Sequence, residues 1–510
     1  MINKKLSLSN KVLWVYVICS CVIALNCIFI IKEFWWGMLL PVLVLLAYLF
    51  FFKLDILLLL IPLFTPLSIN IRDFDMGFGI SLPTEPILFG ILILFFIKLL
   101  WDHKFDRKIL KHPVTIAIIF SLLWMFITSL TSSMPLVSFK YLIARLWFVV
   151  PVFLIGTQVF KKFDNIKLFS WLYVSTLIIV IAYTIYNHAQ FNFNEKAGHF
   201  VMTPFYNDHT AYGAILAFFI PVFLGFSFNR KYKKRTRFAS MIVFGILILA
   251  IVLSFCRAAW VSLALALIVY FIIIFKIKLR WVVLSIGALV GAFCVFQFEI
   301  FNALEKNKQG SSANFVEHIE SITNISSDPS NLERINRWQS AFRMYSERPF
   351  WGWGPGTYQF VYAPFQRARE KTIISTNAGD LGNSHSEYFG PLSEEGMLGM
   401  LAFLGIVITV ISTGMRVYKR TKDKEIKLLS LITLLALITY FIHGLMNNFL
   451  DTDKASVPFW GFIAILVALD VYHNPKSDKK ITDNKPELPD RGDALKIQDF
   501  EDILRGPSRK

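Results

Sequence analysis

Charge is scarce in this chain of 510 residues: Asp, Glu, Lys and Arg make up 17%, against 55% hydrophobic residues. Soluble domains carry about 25% charged residues, so an ordinary water-soluble fold is excluded. Cysteine is equally scarce. The five are Cys19, Cys21, Cys27, Cys256 and Cys294, all within or beside apolar segments. The one long polar stretch has none and is therefore not a disulfide-stapled domain. No His or Cys spacing of the metal-binding kind occurs, so no metal and no cofactor is expected. The alternating pattern of a membrane β-barrel is missing. A basic start (Lys4, Lys5, Lys11) runs into an apolar segment without a small-residue cleavage site, which reads as an uncleaved first helix rather than a leader.

Long hydrophobic runs, by contrast, recur almost end to end, and Phe occurs fifty times. About 20 apolar residues cross a bilayer as a helix. Spans are expected at Val12–Ile31, Phe34–Phe52, Leu54–Ile69, Pro86–Trp101, Val114–Thr131, Tyr141–Phe160, Leu168–Tyr186, Ala211–Phe228, Phe238–Phe255, Ala258–Phe275, Trp281–Phe298, Met397–Met415, Leu428–Leu445 and Pro458–Tyr472. The fold class is an all-α polytopic membrane protein of about fourteen (12–14) transmembrane helices, with one large, partly helical extracytoplasmic loop. Residues 1–298 are expected to form the N-terminal membrane domain, 299–396 the loop, 397–473 the C-terminal spans and 474–510 a mixed-charge cytoplasmic tail read as mostly disordered, with the spacing of a short surface helix at Ala494–Leu504.

The formal charge of +17 invites a nucleic-acid partner, but its placement argues for topology. Lys and Arg cluster in every second connector, for example Lys104–Lys111, Arg230–Arg237 and Arg416–Lys427. That is the positive-inside pattern, with both termini cytoplasmic, and no nucleic-acid partner is expected. The loop, the tight turn at Arg257, and His188, His199, His209, His318 and His385 then lie outside the inner (cytoplasmic) membrane.

Asn331–Met400 is a polar, aromatic and Gly-rich island in this apolar setting, where the function should be sought. Asn331–Ser346 has helical spacing, and the chain then turns at Arg348-Pro349 into Trp351-Gly352-Trp353-Gly354-Pro355-Gly356. That run cannot be helix, and no Gly-Lys-Ser/Thr follows it, which excludes a P-loop. Its aromatic residues suit either sugar stacking or an interfacial belt. Arg257, between two spans with almost no connector, is either a phosphate anchor or a snorkelling helix end. Arg334 and Arg337 are either a phosphate clamp or a face paired with Glu333 and Glu347. His385, titrating near neutrality, can take a proton from a sugar hydroxyl, or make ordinary interfacial hydrogen bonds. His209 is its main competitor, unless Asp208-His209 is simply a helix N-cap.

The order of these pieces resembles the O-antigen ligase/polymerase superfamily, bacterial integral-membrane glycosyltransferases of the GT-C type. Ser254-Phe255-Cys256-Arg257-Ala258 matches its arginine turn. Arg334, Trp338, Pro349 and Gly352–Gly356 match a second motif, and His385, Glu394 and Gly396 a third; Pro204–Asn207 resembles a further segment before a span. Cys256 stands where Ser is usual, and Ser386 where Asn is usual. The resemblance implies a metal-independent inverting transfer of a glycan from an undecaprenyl-pyrophosphate carrier to an acceptor glycan or lipid A–core, in contact with membrane lipid. Arg257 and His385 would be catalytic. Arg334, Arg337, Trp338, Trp353, Gly354, Gly356, Glu394 and His209 would bind substrate. Polymerase and protein-glycosylating members share these motifs. A lipid-linked sugar flippase is the more distant alternative, and would be expected to show repeats and charged or broken helices at mid-membrane depth.

Overall fold

A computed structural model of the chain describes residues 2–33, 40–71, 79–102, 105–278, parts of 280–291, 329–372, 375 and 382–474. Two compact units divide the chain, Met1–Leu60 with Ala494–Lys510, and Ile61–Asp493. In the first, the apolar helices Ile2–Ile31 and Leu40–Phe52 are described, together with the first turns of Leu54–Phe64. The helical path breaks only at Lys53 between the latter two.

The fold is all-α and polytopic. Among the described residues, ten helices are long and apolar enough to cross a membrane. They are Thr84–Trp101, Pro113–Leu130, Pro135–Val159, Phe163–Gln190, His209–Phe228, Lys234–Leu253, Arg257–Ile274, Gly396–Arg420, Lys424–His443 and Asp453–His473. Each coincides with an expected span. Of the other four expectations, three fall on shorter apolar helices, Cys19–Ile31, Leu40–Phe52 and Leu54–Leu67. The fourth, Trp281–Phe298, lies mostly outside the described residues, as do His318, Cys294 and the tail helix at Ala494–Leu504.

Several boundaries differ by about a turn or slightly more, and the largest difference is at the start of one span. The expected Tyr141–Phe160 span begins at Pro135, because proline at the first helical position needs no N–H partner there. The connector before it shrinks to Thr131–Met134. Further along, Pro151 sits in a π-helical stretch, Val149–Ile155, which accommodates its missing donor. The only strands among the described residues are Ile69–Asn70 and Ser81–Leu82, paired antiparallel.

Hydrogen bonds and ion pairs sort the connectors into two ends. At one, the Lys- and Arg-rich connectors hold one another. Lys161 pairs with Asp106 at 3.7 Å, and Asp470 takes both Arg416 (2.7 Å) and His112 (3.3 Å). Lys231 reaches Asp423, the N-cap of Lys424–His443, at 3.0 Å. At the other end, the residues after Pro329 bond to helix ends that carry few basic residues. The Ser133 N–H donates to the Trp353 carbonyl at 2.9 Å, and Trp124 Nε1 donates to the Glu395 carbonyl at 2.8 Å.

The loop residues belong to the same compact unit as these spans. The helix Pro329–Glu347 covers the expected Asn331–Ser346. Its apolar side closes over a small core of Ala341, Met344, Tyr358 and Tyr362, with Trp353, Phe365 and Phe389 packed against it. The most thoroughly buried long helices are His209–Phe228, Lys424–His443 and Asp453–His473.

Candidate functional site

Three backbone devices bring the loop against the helix ends. The first is the arginine turn. Phe255 takes a left-handed φ of +49°, which reverses the chain between Lys234–Leu253 and Arg257–Ile274 in three residues. An aromatic residue seldom adopts that conformation, and it persists only where its surroundings impose it. Ser254 Oγ donates to the Ile251 carbonyl at 2.7 Å and accepts from the Cys256 N–H at 3.3 Å. Cys256 is buried against Gly213, where an added Cβ would lie 2.6 Å from the Cys256 Cβ. Burial pushes its thiol up to about 12, so Cys256 is a packing group and not a nucleophile. Arg257 follows as the first residue of its helix and is half-buried.

The second device is the glycine run. Gly352, Gly354 and Gly356 have φ of +66°, +112° and +75°. A Cβ on Gly354 would lie 1.9 Å from Ser132 Oγ. The backbone therefore lies directly on neighbouring groups. The Trp353 N–H donates to the Ser393 carbonyl at 3.1 Å, and that of Gly354 to the Glu394 carbonyl at 2.7 Å. The buried Glu394 carboxylate accepts from the Tyr358 N–H at 2.8 Å, and burial pushes it up to about 7. Its neighbour Glu395 is pushed up to about 8 by burial and then by Glu394.

The third device presents His385, itself at a φ of +50°. Asn383 Oδ1 accepts its N–H at 3.1 Å, and Trp338 Nε1 donates to its carbonyl at 3.4 Å. Two residues on, buried Glu387 accepts from the Tyr440 hydroxyl and the Phe449 N–H, both at 2.8 Å, and from the Leu450 N–H at 2.9 Å. Burial raises the Glu387 carboxyl, with Arg145 opposing. The imidazole of His385 is thus aimed by a backbone clamped on both sides. Burial, and then the charges of Arg334 and Arg337, lower it to about 4. It is a neutral base at physiological pH.

Electrostatic reach ties the scattered motifs together. Arg334 acts on His385, His209 and His443, and Arg257 also acts on His209. Asp208 acts on the same three histidines. Arg334 Nε donates to the Met446 carbonyl at 3.2 Å, which brings the loop helix to the connector after Lys424–His443. The His209 ring stacks on His199 with centroids 4.2 Å apart. Asp208 is the N-cap of His209–Phe228, its Oδ1 accepting the Thr210 N–H at 2.7 Å and the Ala211 N–H at 2.8 Å. The capping reading therefore holds for Asp208, while His209 stacks on His199 within the field of both arginines.

Several expected substrate groups have partners within the protein. Arg337 is 4% exposed; its Nε donates to Glu333 at 2.6 Å and its guanidinium lies 4.2 Å from the centre of the Tyr362 ring. The paired-face reading applies to it, and its part at His385 is its charge. Trp338 serves the His385 backbone. Trp353 Nε1 donates to the Met344 carbonyl at 3.0 Å, with Arg348 4.1 Å over its ring. Trp351 stacks on Trp124 at 5.5 Å, and Tyr358 is buried against Tyr362. Gly354 and Gly356 shape the turn, and Glu394 holds it.

Sequence reasoning passed over His443, Asn447, Arg145 and Glu387. Arg145 donates from Nη1 to the Leu450 carbonyl at 3.0 Å and from Nη2 to the Tyr141 hydroxyl at 2.8 Å. His443 closes its span fully buried, with Asn447 Nδ2 3.1 Å from its Nε2. A histidine at the end of an apolar run, followed by Asn447-Asn448, was the available signal.

A family model described as O-antigen ligase matches residues 242–404. That range holds Arg257, Arg334, His385 and Glu394, and leaves out His209 and His443. No protein of curated function matches the chain.

Proposed function

Because this chain carries a domain of the O-antigen ligase family at residues 242–404, we propose that it transfers a glycan from undecaprenyl pyrophosphate to an acceptor hydroxyl at the outer face of the inner membrane. His385 takes the proton of the acceptor hydroxyl. The freed oxygen attacks the anomeric carbon with inversion, and the bond from that carbon to the pyrophosphate oxygen breaks. Arg257 and Arg334 neutralise the charge that develops on the departing undecaprenyl pyrophosphate, an electrostatic contribution to the transition state. The lipid pyrophosphate is already an activated leaving group, so the step is metal-independent.

One observation supports this reading above the rest. A half-buried imidazole, lowered to about 4 and held by a left-handed backbone, lies in the field of the arginine that also reaches the Arg257 turn through His209. A proton acceptor and anion-neutralising groups are what glycan transfer from a pyrophosphate requires.

His385→Ala is expected to abolish glycan transfer while the protein still reaches the membrane at its normal level. Wild-type transfer by that variant would remove the base. Deleting the gene separates the acceptors. Loss of long glycan from lipid A–core with accumulation of lipid-linked chains indicates a ligase, and a single repeat unit on the core indicates a polymerase.

A further inference from the structure

The base and one of the phosphate-neutralising arginines hang from the same irregular connector. The chain forms no helix between His443 and Asp453, and side chains hold its backbone there instead. Arg334 Nε donates to the Met446 carbonyl at 3.2 Å. The Glu387 N–H, two residues after His385, donates to the Gly444 carbonyl at 2.8 Å. The Glu387 carboxylate then returns to the same connector. A single oxygen, Oε1, accepts from the Tyr440 hydroxyl at 2.8 Å and from the Phe449 and Leu450 N–H groups at 2.8 and 2.9 Å. Three donors on one buried oxygen call for the ionised carboxylate, whose hydrogen bonds are roughly twice as strong as those of a neutral group. Arg145 supplies its counter-charge, against burial and the like charge of Asp451.

Arg145 also grips the connector directly. It lies in the span Pro135–Val159, outside the matched range 242–404, and its Nη1 donates to the Leu450 carbonyl at 3.0 Å. Its Nη2 donates to the Tyr141 hydroxyl, one turn earlier, at 2.8 Å. The Tyr141 ring in turn lies against the glycine run, 3.0 Å from where a Cβ on Gly356 would stand. The guanidinium is thus aimed from one side and braces Leu450 on the other, at its carbonyl directly and at its N–H through Glu387. An arginine within a span is costly, and here the connector and its carboxylate are the partners that offset the cost. We propose that Arg145 is a positioning residue of the transfer reaction, fixing the 444–450 connector and through it the spacing between the base His385 and the phosphate-neutralising Arg334. The inference rests on the glycan transfer proposed above. Arg145 acts through Leu450 and Glu387 rather than on substrate.

The test uses full-length protein in detergent, with the lipid extract of cells lacking the gene as substrate. Product formation against extract concentration gives kcat and an apparent KM, and thermal unfolding reports folding. Misplacing a catalytic group by about 1 Å costs on the order of a hundredfold. Arg145→Gln is therefore expected to lower kcat about tenfold or more while KM stays within about threefold, since substrate contacts are kept. Its acid limb should move toward higher pH, because a displaced Arg334 acts more weakly on His385. Arg145→Lys keeps the counter-charge and one donor for the Leu450 carbonyl, and should recover most of kcat. If Arg145→Gln does not fold, Tyr141→Phe carries the test. It removes only the hydroxyl that aims the guanidinium, and should lower kcat about threefold or more at unchanged KM. Wild-type kcat and acid limb in the folded variant, with His385→Ala inactive, overturn the positioning role and leave the transfer reading standing. Wild-type transfer by His385→Ala overturns both.

Discussion

A base lowered to about 4 should leave its mark on the acid side of the rate profile. With an ordinary imidazole, near 6.5, roughly three quarters of the enzyme would be protonated and inactive at pH 6. At the value of about 4 found for His385, about 1% would be. The expected kcat/KM therefore stays level down to about pH 5 and falls below it, because the protonated ring cannot accept the hydroxyl proton. The quantity to follow is kcat/KM for the lipid-linked donor. It reports the free enzyme, before the donor's own charges offset the arginines. Burial is the largest cause of the shift and Arg334 the next, so Arg334→Gln should move the fall toward higher pH by no more than about one unit. The absolute rate of that variant will also be lower, but the position of the limb is independent of its height. A fall centred near pH 6.5 in the wild type, or a limb unmoved in Arg334→Gln, would refute the assignment of His385 as a base in the field of Arg334.

Gly354→Ala places a Cβ 1.9 Å from Ser132 Oγ at a φ of +112°, and the strain and the displaced Ser132–Ser138 hydrogen bond together should cost roughly 2–4 kcal/mol. A lowered melting temperature, partly restored by adding Ser132→Gly, checks this. Glu387→Ala removes the acceptor of the Tyr440 hydroxyl and of the Phe449 and Leu450 N–H groups; at about 1–3 kcal/mol for each donor left unpaired, thermal unfolding should drop well below that of Glu387→Gln. Arg257→Lys keeps the charge but cannot make a two-point contact to phosphate, so donor kcat/KM should fall about tenfold or more while the melting temperature is unchanged.

What could be read from the chain before its structure divides along physical lines. The ten long spans were legible because an apolar run of bilayer length has few alternatives, and the glycine run because three glycines beside tryptophans permit only a tight turn. The arginine turn was legible from the lack of any connector between two spans. Its mechanism was not, since nothing in the residue type marks Phe255 for a left-handed backbone. The start at Pro135 was obscured by Lys140, which is polar enough to suggest a connector and yet lies within the helix.

Within the candidate site, several motif side chains have partners in the protein that spacing does not disclose. Arg334 and Arg337 lie three residues apart on one helix, and spacing cannot separate them. The separation comes from Glu333, one turn before Arg337, which captures its guanidinium and leaves Arg334 to reach the Met446 carbonyl. Glu394 was read as a substrate contact because it stands nine residues after His385; its carboxylate instead accepts a backbone N–H from Tyr358, a residue 36 positions earlier. Both outcomes follow from one physical demand. Three positive-φ glycines and a left-handed histidine are costly conformations, and nearby polar side chains are recruited to hold them before any are left for a ligand. A group stays open for chemistry where its surroundings set charge and proton position without consuming the functional atom. His385 meets that condition through its backbone clamp.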